Sequence, residues 1–200
     1  MLPLVYTSST AATVYVAACL IWLVPEAFGM RPQMARASRK TASNQDRSSL
    51  AILIGLQWVG LALNFSLGLF FTAAAIPWQR TVLFLLAVTF ILLGVAWRWY
   101  AIRTLGGYFT RDVAVSADQQ VVQSGPYRLI RHPAYSGTFL TMLGVGLAMT
   151  NWASLATLLI CVFSGHFYRV KVEEKALIRA IGQPYIEYMR HTRRFIPLVF

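Results

Sequence analysis

Charge is what this sequence has least of. Asp, Glu, Lys and Arg make up 12% of its 200 residues, where a soluble domain carries roughly a quarter. That shortage, with 57% hydrophobic residues, excludes an ordinary soluble globule and points to one compact membrane domain. Acidic residues are rarer still, 7 against 18 Lys and Arg, for a net charge of +11. In a soluble chain such a balance would suggest nucleic acid. Here the basic residues flank apolar runs and no nucleic-acid module is recognisable, so the expected partner is anionic lipid and no nucleic acid. The two cysteines, Cys19 and Cys161, lie inside apolar runs. They read as small buried hydrophobes and lack the spacing of a disulfide framework or of zinc or iron–sulfur ligands, so no metal is expected. A dinucleotide Gly-x-Gly-x-x-Gly fingerprint is also missing. No Lys or Arg precedes Arg31, so a signal peptide's positive leader is lacking and the first apolar run is expected to stay in the mature chain.

What the chain does have is five apolar runs, and ~20 residues suffice to cross a bilayer core. The first covers Val5 to Val24 and ends at Pro25. The second, Leu50 to Ile76, holds Gly55, Gly60 and Gly68, where helices can approach closely, and Asn64, which should face protein. Pro77 to Arg80 is a very short turn, so the second span and the third, Thr81 to Ala101, should form a helical hairpin. Trp97, Trp99 and Tyr100 mark an interfacial belt. The fourth span, Ala134 to Thr150, and the fifth, Ala153 to Tyr168, meet at Asn151-Trp152 and should form a second hairpin. The expected fold is therefore all-α and integral to the membrane: an N-terminal span plus two helical hairpins. Residues 1–200 form one domain, with a three-span part at 1–101 and a core at 102–200. Residues 102–132 form a long connection with a turn at Leu105 to Phe109 and short extended pieces at Val113 to Val115 and Val121-Val122. Beyond Tyr168, Leu177, Ile178, Ile181, Tyr185 and Tyr188 recur at helical spacing, and Gly182-Gln183-Pro184 should break that run. All but Arg80 of the Lys and Arg fall in the first loop, in Arg98 to Arg131, or in the tail from Arg169. Five spans put these regions on one side, and the positive-inside rule makes it cytoplasmic, N-terminus out and C-terminus in.

The stretch with most chemistry runs from Gly125 to Gly137. Pro133 suits the first turn of a helix, and the residues after it are apolar or small. This is the mouth of a membrane helix behind a basic, hydrogen-bonding collar. Free backbone N–H groups of that turn, with the helix dipole, favour an anion such as a small cofactor's carboxylate. Further on, Arg169 and Glu173 stand four apart and share a helix face, able to serve an anion and a cation side by side.

Gly125-Pro126-Tyr127-Arg128-x-x-Arg131-His132-Pro133-x-Tyr135-x-Gly137 is followed by Arg169-x-x-x-Glu173-Glu174-x-x-Leu177. Then come Gly182-x-x-Tyr185-x-x-Tyr188 and Thr192-x-Arg194-x-Ile196-Pro197. In this order the motifs resemble the isoprenylcysteine carboxyl methyltransferase family, itself similar to the phospholipid N-methyltransferases. Leu105-Gly106 to Thr110 also fits, and the first three spans agree in character only. The resemblance implies a cytoplasmic pocket for S-adenosyl-L-methionine, formed by the loop before the fourth helix and the C-terminal helix. It implies that Gln119, Gln120, Val121 and Val122 hold the cofactor largely by backbone, and that Tyr127, near Gly125, lines adenine or ribose. Arg131, His132, Pro133, Ala134 and Tyr135 would hold its methionine part, and Glu173, with Glu174, its ammonium. Arg169, with His166 and Arg194, would hold the acceptor, and Arg169 and Glu173 would be the catalytic pair. The implied reaction methylates the carboxylate of a lipophilic, isoprenylcysteine-like acceptor, a small molecule or a prenylated substrate. Methyl transfer from a sulfonium is an in-line displacement dominated by positioning. A carboxylate is already ionised at neutral pH, and an Arg orients it by paired hydrogen bonds.

Plainer readings stand beside these. Arg169 and Glu173 also fit a surface ion pair worth well under ~1 kcal/mol. Arg128 fits a headgroup anchor, His132 a helix cap, Tyr135 an interfacial anchor, and Glu26 a partner of a first-loop Arg. His166 fits either a functional ionisable residue or a neutral His bonded to a neighbouring helix. Other functions are methylation of a phosphatidylethanolamine-type amine, a sterol-reductase-like NADPH enzyme, and a non-enzymatic scaffold. Arg169 argues against the amine, because a cation repels an ammonium group. The expected location is the plasma or inner membrane of a prokaryote, or the endoplasmic reticulum of a eukaryote.

Overall fold

The computed structural model describes residues 2–26, 44–109 and 120–195. Their regular structure is helical: α1 (Leu4–Thr7), α2 (Ser9–Val24), α3 (Asn44–Phe70), α4 (Arg80–Leu105), α5 (Pro133–Leu147), α6 (Trp152–Ile181) and α7 (Gln183–His191). Residues 120–122 are irregular where an extended piece was expected, and Val113 to Val115 lie outside the described residues. The helix ends have local causes. Ser8 Oγ accepts from Ala11 N at the start of α2, and Asn151 Oδ1 from Ser154 N at the start of α6. Gly182 stops α6 at φ +74°, where an L side chain is strained. Pro133 and Pro184 occupy the first turns of α5 and α7, where a missing N–H costs nothing.

Three helical stretches are long and apolar enough to cross a membrane: Ser48–Phe70, Arg80–Tyr108 and Trp152–Ile181. α2 and α5 are shorter, at 16 and 15 residues. The fifth span and the charged run after it form one helix of 30 residues, because nothing between Tyr168 and Gly182 breaks it. At 1.5 Å per residue α6 is about 45 Å long, more than the ~30 Å of a hydrocarbon core. Its C-terminal half therefore carries Arg169, Glu173 and Glu174 alongside the collar.

The second and third spans do not form the expected hairpin. α3 packs along α6 and α4 along α5, while α3 and α4 scarcely touch. Small residues decide this. A Cβ on Gly144 would lie 2.4 Å from the Ala87 carbonyl oxygen, and one on Gly94 2.4 Å from Thr141 Oγ1, so α4 and α5 meet backbone to backbone. Along α3 and α6, Gly60 faces Leu158 and Cys161, Gly165 faces Leu53, and Ser49 faces Arg169, an antiparallel register kept over several turns. Gly68 meets Met149, while Gly55 meets nothing within 4 Å. Asn64 does face protein: it is fully buried, and its Oδ1 accepts from Ser154 Oγ at 2.7 Å. The turn between α5 and α6 makes the second hairpin as expected. The second span ends at Phe70, six residues short of expectation, and Asn151 Nδ2 donates to the Phe71 carbonyl at 2.8 Å. Ile91, Met142, Val145, Leu158 and Val162 fill the core. Arg80 donates to the Leu2 carbonyl at the end of the bundle away from the collar.

Candidate functional site

Three chain segments close around the N-terminus of α5. Residues 129–132 lie parallel to 193–194: Arg131 N donates to Arg193 O at 2.7 Å, His132 N to Arg194 O at 3.0 Å, and Arg193 N to Leu129 O at 3.0 Å. From α7, the Tyr188 hydroxyl donates to the Tyr127 carbonyl at 2.6 Å and fixes the turn Gly125–Arg128. Ser136 Oγ donates to Phe195 O, and the Phe195 ring sits 5.1 Å from Phe139. The collar and the tail, some sixty residues apart in sequence, thus form one body.

The adjacent acids have separate environments, being about 100° apart around the helix. Glu174 is inward, its side chain 5% exposed. It accepts from Arg131 Nε at 3.0 Å and Arg194 Nη2 at 2.9 Å, and lies 3.5 Å from His132 Nε2. Arg131 also donates to the carbonyls of Met189 at 3.1 Å and Thr192 at 2.5 Å. This clasp ties the tail to the collar. Glu173 is 28% exposed, accepts from the Tyr135 hydroxyl at 2.9 Å, and lies 3.8 Å from His132 Nδ1. Arg169 is 2% exposed, which rules out a surface ion pair, and it donates to Ser49 Oγ at 2.6 Å.

A cavity of ≈ 590 Å³ opens beside these groups, within the usual range for small-molecule sites. Its collar side carries the polar groups Gln120, Tyr127, His132, Glu173 and Tyr185, set among Val121, Val122 and Leu177. Its far side is apolar, with Trp22 and Leu23 from α2 and Leu53, Ile54, Trp58 and Leu61 from α3. Arg98, Tyr135, His166 and Arg169 stand where the two sides meet. The Tyr127 and Tyr185 hydroxyls have no hydrogen bond among the described residues. Burial, then the neighbouring Glu173 carboxylate, pushes the pKa of both upward, so they remain donors. His132 Nε2 is buried without a well-formed hydrogen bond.

Of the residues implied by the resemblance, Gln120, Val121, Val122, Tyr127, Arg131, His132, Ala134, Tyr135, His166, Arg169 and Glu173 all border this cavity. Gly125, Pro133, Glu174 and Arg194 do not, and Gln119 lies outside the described residues. The helix mouth offers fewer free N–H groups than expected. Tyr135 N and Ser136 N donate to the His132 carbonyl, leaving Ala134 N–H. His132 sits at the cap position without a side-chain cap bond. His166 is buried, with Nδ1 2.8 Å from Val162 O of its own helix and its ring 5.0 Å from Tyr135. Glu26, expected to meet a first-loop Arg, grips Arg98 at 2.6 Å, and Arg98 Nη1 donates to the Ala134 carbonyl and Thr138 Oγ1, each at 3.2 Å.

Sequence reasoning passed over Tyr185, Arg98 and the apolar wall. Arg98 carried a usable signal, since a charge within an apolar span marks function by default. Tyr185 stood in an apolar stripe and in the Gly182-x-x-Tyr185-x-x-Tyr188 motif without a role at the site, although a Tyr there also brings a polar tip.

A sequence model described as the isoprenylcysteine carboxyl methyltransferase (ICMT) family matches residues 86–179. Protein-S-isoprenylcysteine O-methyltransferase B of Arabidopsis thaliana is 30% identical over 114 residues, 56% of this chain and 58% of that protein. The Saccharomyces cerevisiae protein-S-isoprenylcysteine O-methyltransferase is 32% identical over 111 residues, 54% of this chain and 46% of its own. This chain thus spans about half the length of both relatives. A solved eukaryotic intramembrane Ras methyltransferase ICMT superposes with a TM-score of 0.56 at 28% identity, over 74% of this chain and 52% of that one. Residues 86–179, the segment that carries the collar, α5 and the acidic pair, are thus similar to the isoprenylcysteine carboxyl methyltransferase family.

Proposed function

We propose that this protein is an integral-membrane methyltransferase that uses S-adenosyl-L-methionine to esterify the carboxylate of a lipophilic, isoprenylcysteine-like acceptor. The observation that carries the reading is one cavity with two unlike sides, bearing polar groups toward the collar and apolar toward α2 and α3. The residues fit the cofactor. Glu173, partly exposed to the cavity, suits an ammonium group. Tyr127 and Tyr185 bring aromatic faces and unused donors, and His132 Nε2 is a polar atom wanting a partner. When bound, the cofactor would supply a sulfonium methyl group for transfer to the acceptor carboxylate oxygen, the electron pair of the S–CH3 bond staying on sulfur. The chain positions the partners. Arg169, backed by Ser49, holds the carboxylate where the two sides meet. Tyr135 fixes Glu173 through a 2.9 Å hydrogen bond, and the apolar walls exclude water from the acceptor's tail.

The accompanying topology is five spans, α2 to α6 in order, with α2 and α5 as short ones. The N-terminus is outside and the collar and tail are cytoplasmic, in keeping with the basic residues gathered at the collar end. The acceptor then approaches from the bilayer and the cofactor from the cytosol.

The test is transfer of labelled methyl groups to lipophilic carboxylates and, separately, to phosphatidylethanolamine vesicles. Base-labile ester counts on the carboxylates are expected, with kcat/KM falling about 10- to 100-fold in Arg169→Leu, as for a lost hydrogen bond to a charged group. Label on the amine alone, insensitive to Arg169, would transfer the site to the amine reading.

A further inference from the structure

The cavity already has a carboxylate of the chain's own beside a guanidinium. Glu26, just past Val24 at the end of α2, borders it together with Arg98. Its Oε1 accepts from Arg98 Nη2 at 2.6 Å and its Oε2 from Arg98 Nε at 3.1 Å. That two-point fork is how a guanidinium grips any carboxylate. The two partners are not held alike. Arg98 sits where α4 meets α5 backbone to backbone: a Cβ on Gly137 would lie 2.8 Å from Arg98 N. Its Nη1 donates to Ala134 O and Thr138 Oγ1 of α5 as well, so its place does not depend on Glu26. Glu26 extends from the end of α2, a span that packs on α4 and meets the other spans only slightly. Its side chain is 21% exposed, against 11% for Arg98. A guanidinium so far out of water is costly without an anion. The protein without acceptor therefore needs Glu26 at Arg98, and the protein holding an acid there does not.

We infer that Glu26 is a specificity residue that stands in for the acceptor's carboxylate and separates the acid substrate from its ester product. Arg98 and Arg169 border the same cavity. A carboxylate held by Arg169 can take over the Arg98 fork, so Arg98 stays paired when Glu26 leaves. Methylation removes the acceptor's charge. The ester cannot satisfy a guanidinium as a carboxylate does, so Glu26 returns to Arg98 and crowds the product out. A ligand that needs Glu26 moved aside has its apparent affinity cut by the fraction of molecules in which it is already aside. Only an anion recovers that loss, at Arg98. The inference rests on reading this cavity as the chamber of a lipophilic carboxylate.

The test uses N-acetyl-S-farnesylcysteine as acceptor and its methyl ester as inhibitor, with the full chain in detergent. Glu26→Gln keeps an acceptor oxygen for Arg98 but not the charge. It is expected to lower both the KM of the acid and the inhibition constant of the ester by about tenfold, the weight of a charge-assisted hydrogen bond. The change should fall on KM rather than kcat and leave affinity for S-adenosylhomocysteine intact. Glu26→Asp keeps the charge but is one methylene short of the fork, and should move both constants the same way by less. Constants unchanged or higher in both variants, as a purely structural ion pair would give, overturn the inference and spare the proposed function. So does a tighter acid without a tighter ester. A wild type that methylates no lipophilic carboxylate overturns both.

Discussion

Glu174→Ala is expected to lower the unfolding midpoint of the detergent-solubilised protein by roughly 10 °C. Removing one partner of a buried ion pair leaves the other charge uncompensated, at a cost of about 3–5 kcal/mol. In a chain of this size each kcal/mol moves the midpoint by roughly 2–4 °C. The side chains of Arg131 and Glu174 are 8% and 5% exposed, and Arg194 bonds the same carboxylate, so two guanidinium groups lose their anion together. The consequence reaches the site, because the clasp holds residues 193–195 against the mouth of α5. Cofactor affinity should therefore fall along with stability. Thermal unfolding followed by tryptophan fluorescence reads the first effect. A midpoint within about 2 °C of wild type would mean that Glu174 is not the hub.

Glu173→Gln should give the opposite pattern. Glutamine can still accept from the Tyr135 hydroxyl, and among the described residues Glu173 has no guanidinium partner of the kind that clasps Glu174, so the fold should hold and the midpoint stay in place. What disappears is the negative charge at the cavity wall. Hydrogen bonds to charged groups are worth about 1.5–3 kcal/mol, so affinity for S-adenosylhomocysteine, which keeps the ammonium group, should drop about 10- to 100-fold by calorimetry. Unchanged affinity would remove Glu173 from the cofactor site. The two neighbouring acids are thus expected to separate stability from binding.

Much of this site was legible in the chain. Pro133 and the residues behind it announced a helix mouth, and Arg169 with Glu173 announced a shared face; Ala134 and Tyr135 of the mouth border one cavity with Arg169 and Glu173. The acids' separate environments were not legible. Helical spacing gives direction around an axis but not what waits there, and only the fold puts Arg131 and Arg194 around Glu174. The helix pairing failed for a similar reason. The short turn at Pro77 to Arg80 suggested adjacent partners, yet glycine contacts between α4 and α5 outweigh sequence proximity. The apolar side stayed hidden because periodicity cannot tell an α3 face that meets lipid from one that lines a cavity.

The most direct test is a structure of the protein with S-adenosylhomocysteine bound. The expected result puts its amino group within hydrogen-bond reach of the residue 173 carboxylate, its carboxylate by His132 and Tyr135, and its sulfur aimed at Arg169. A ligand on the bundle end that bears Arg80, or one touching neither the collar nor α6, would contradict the account.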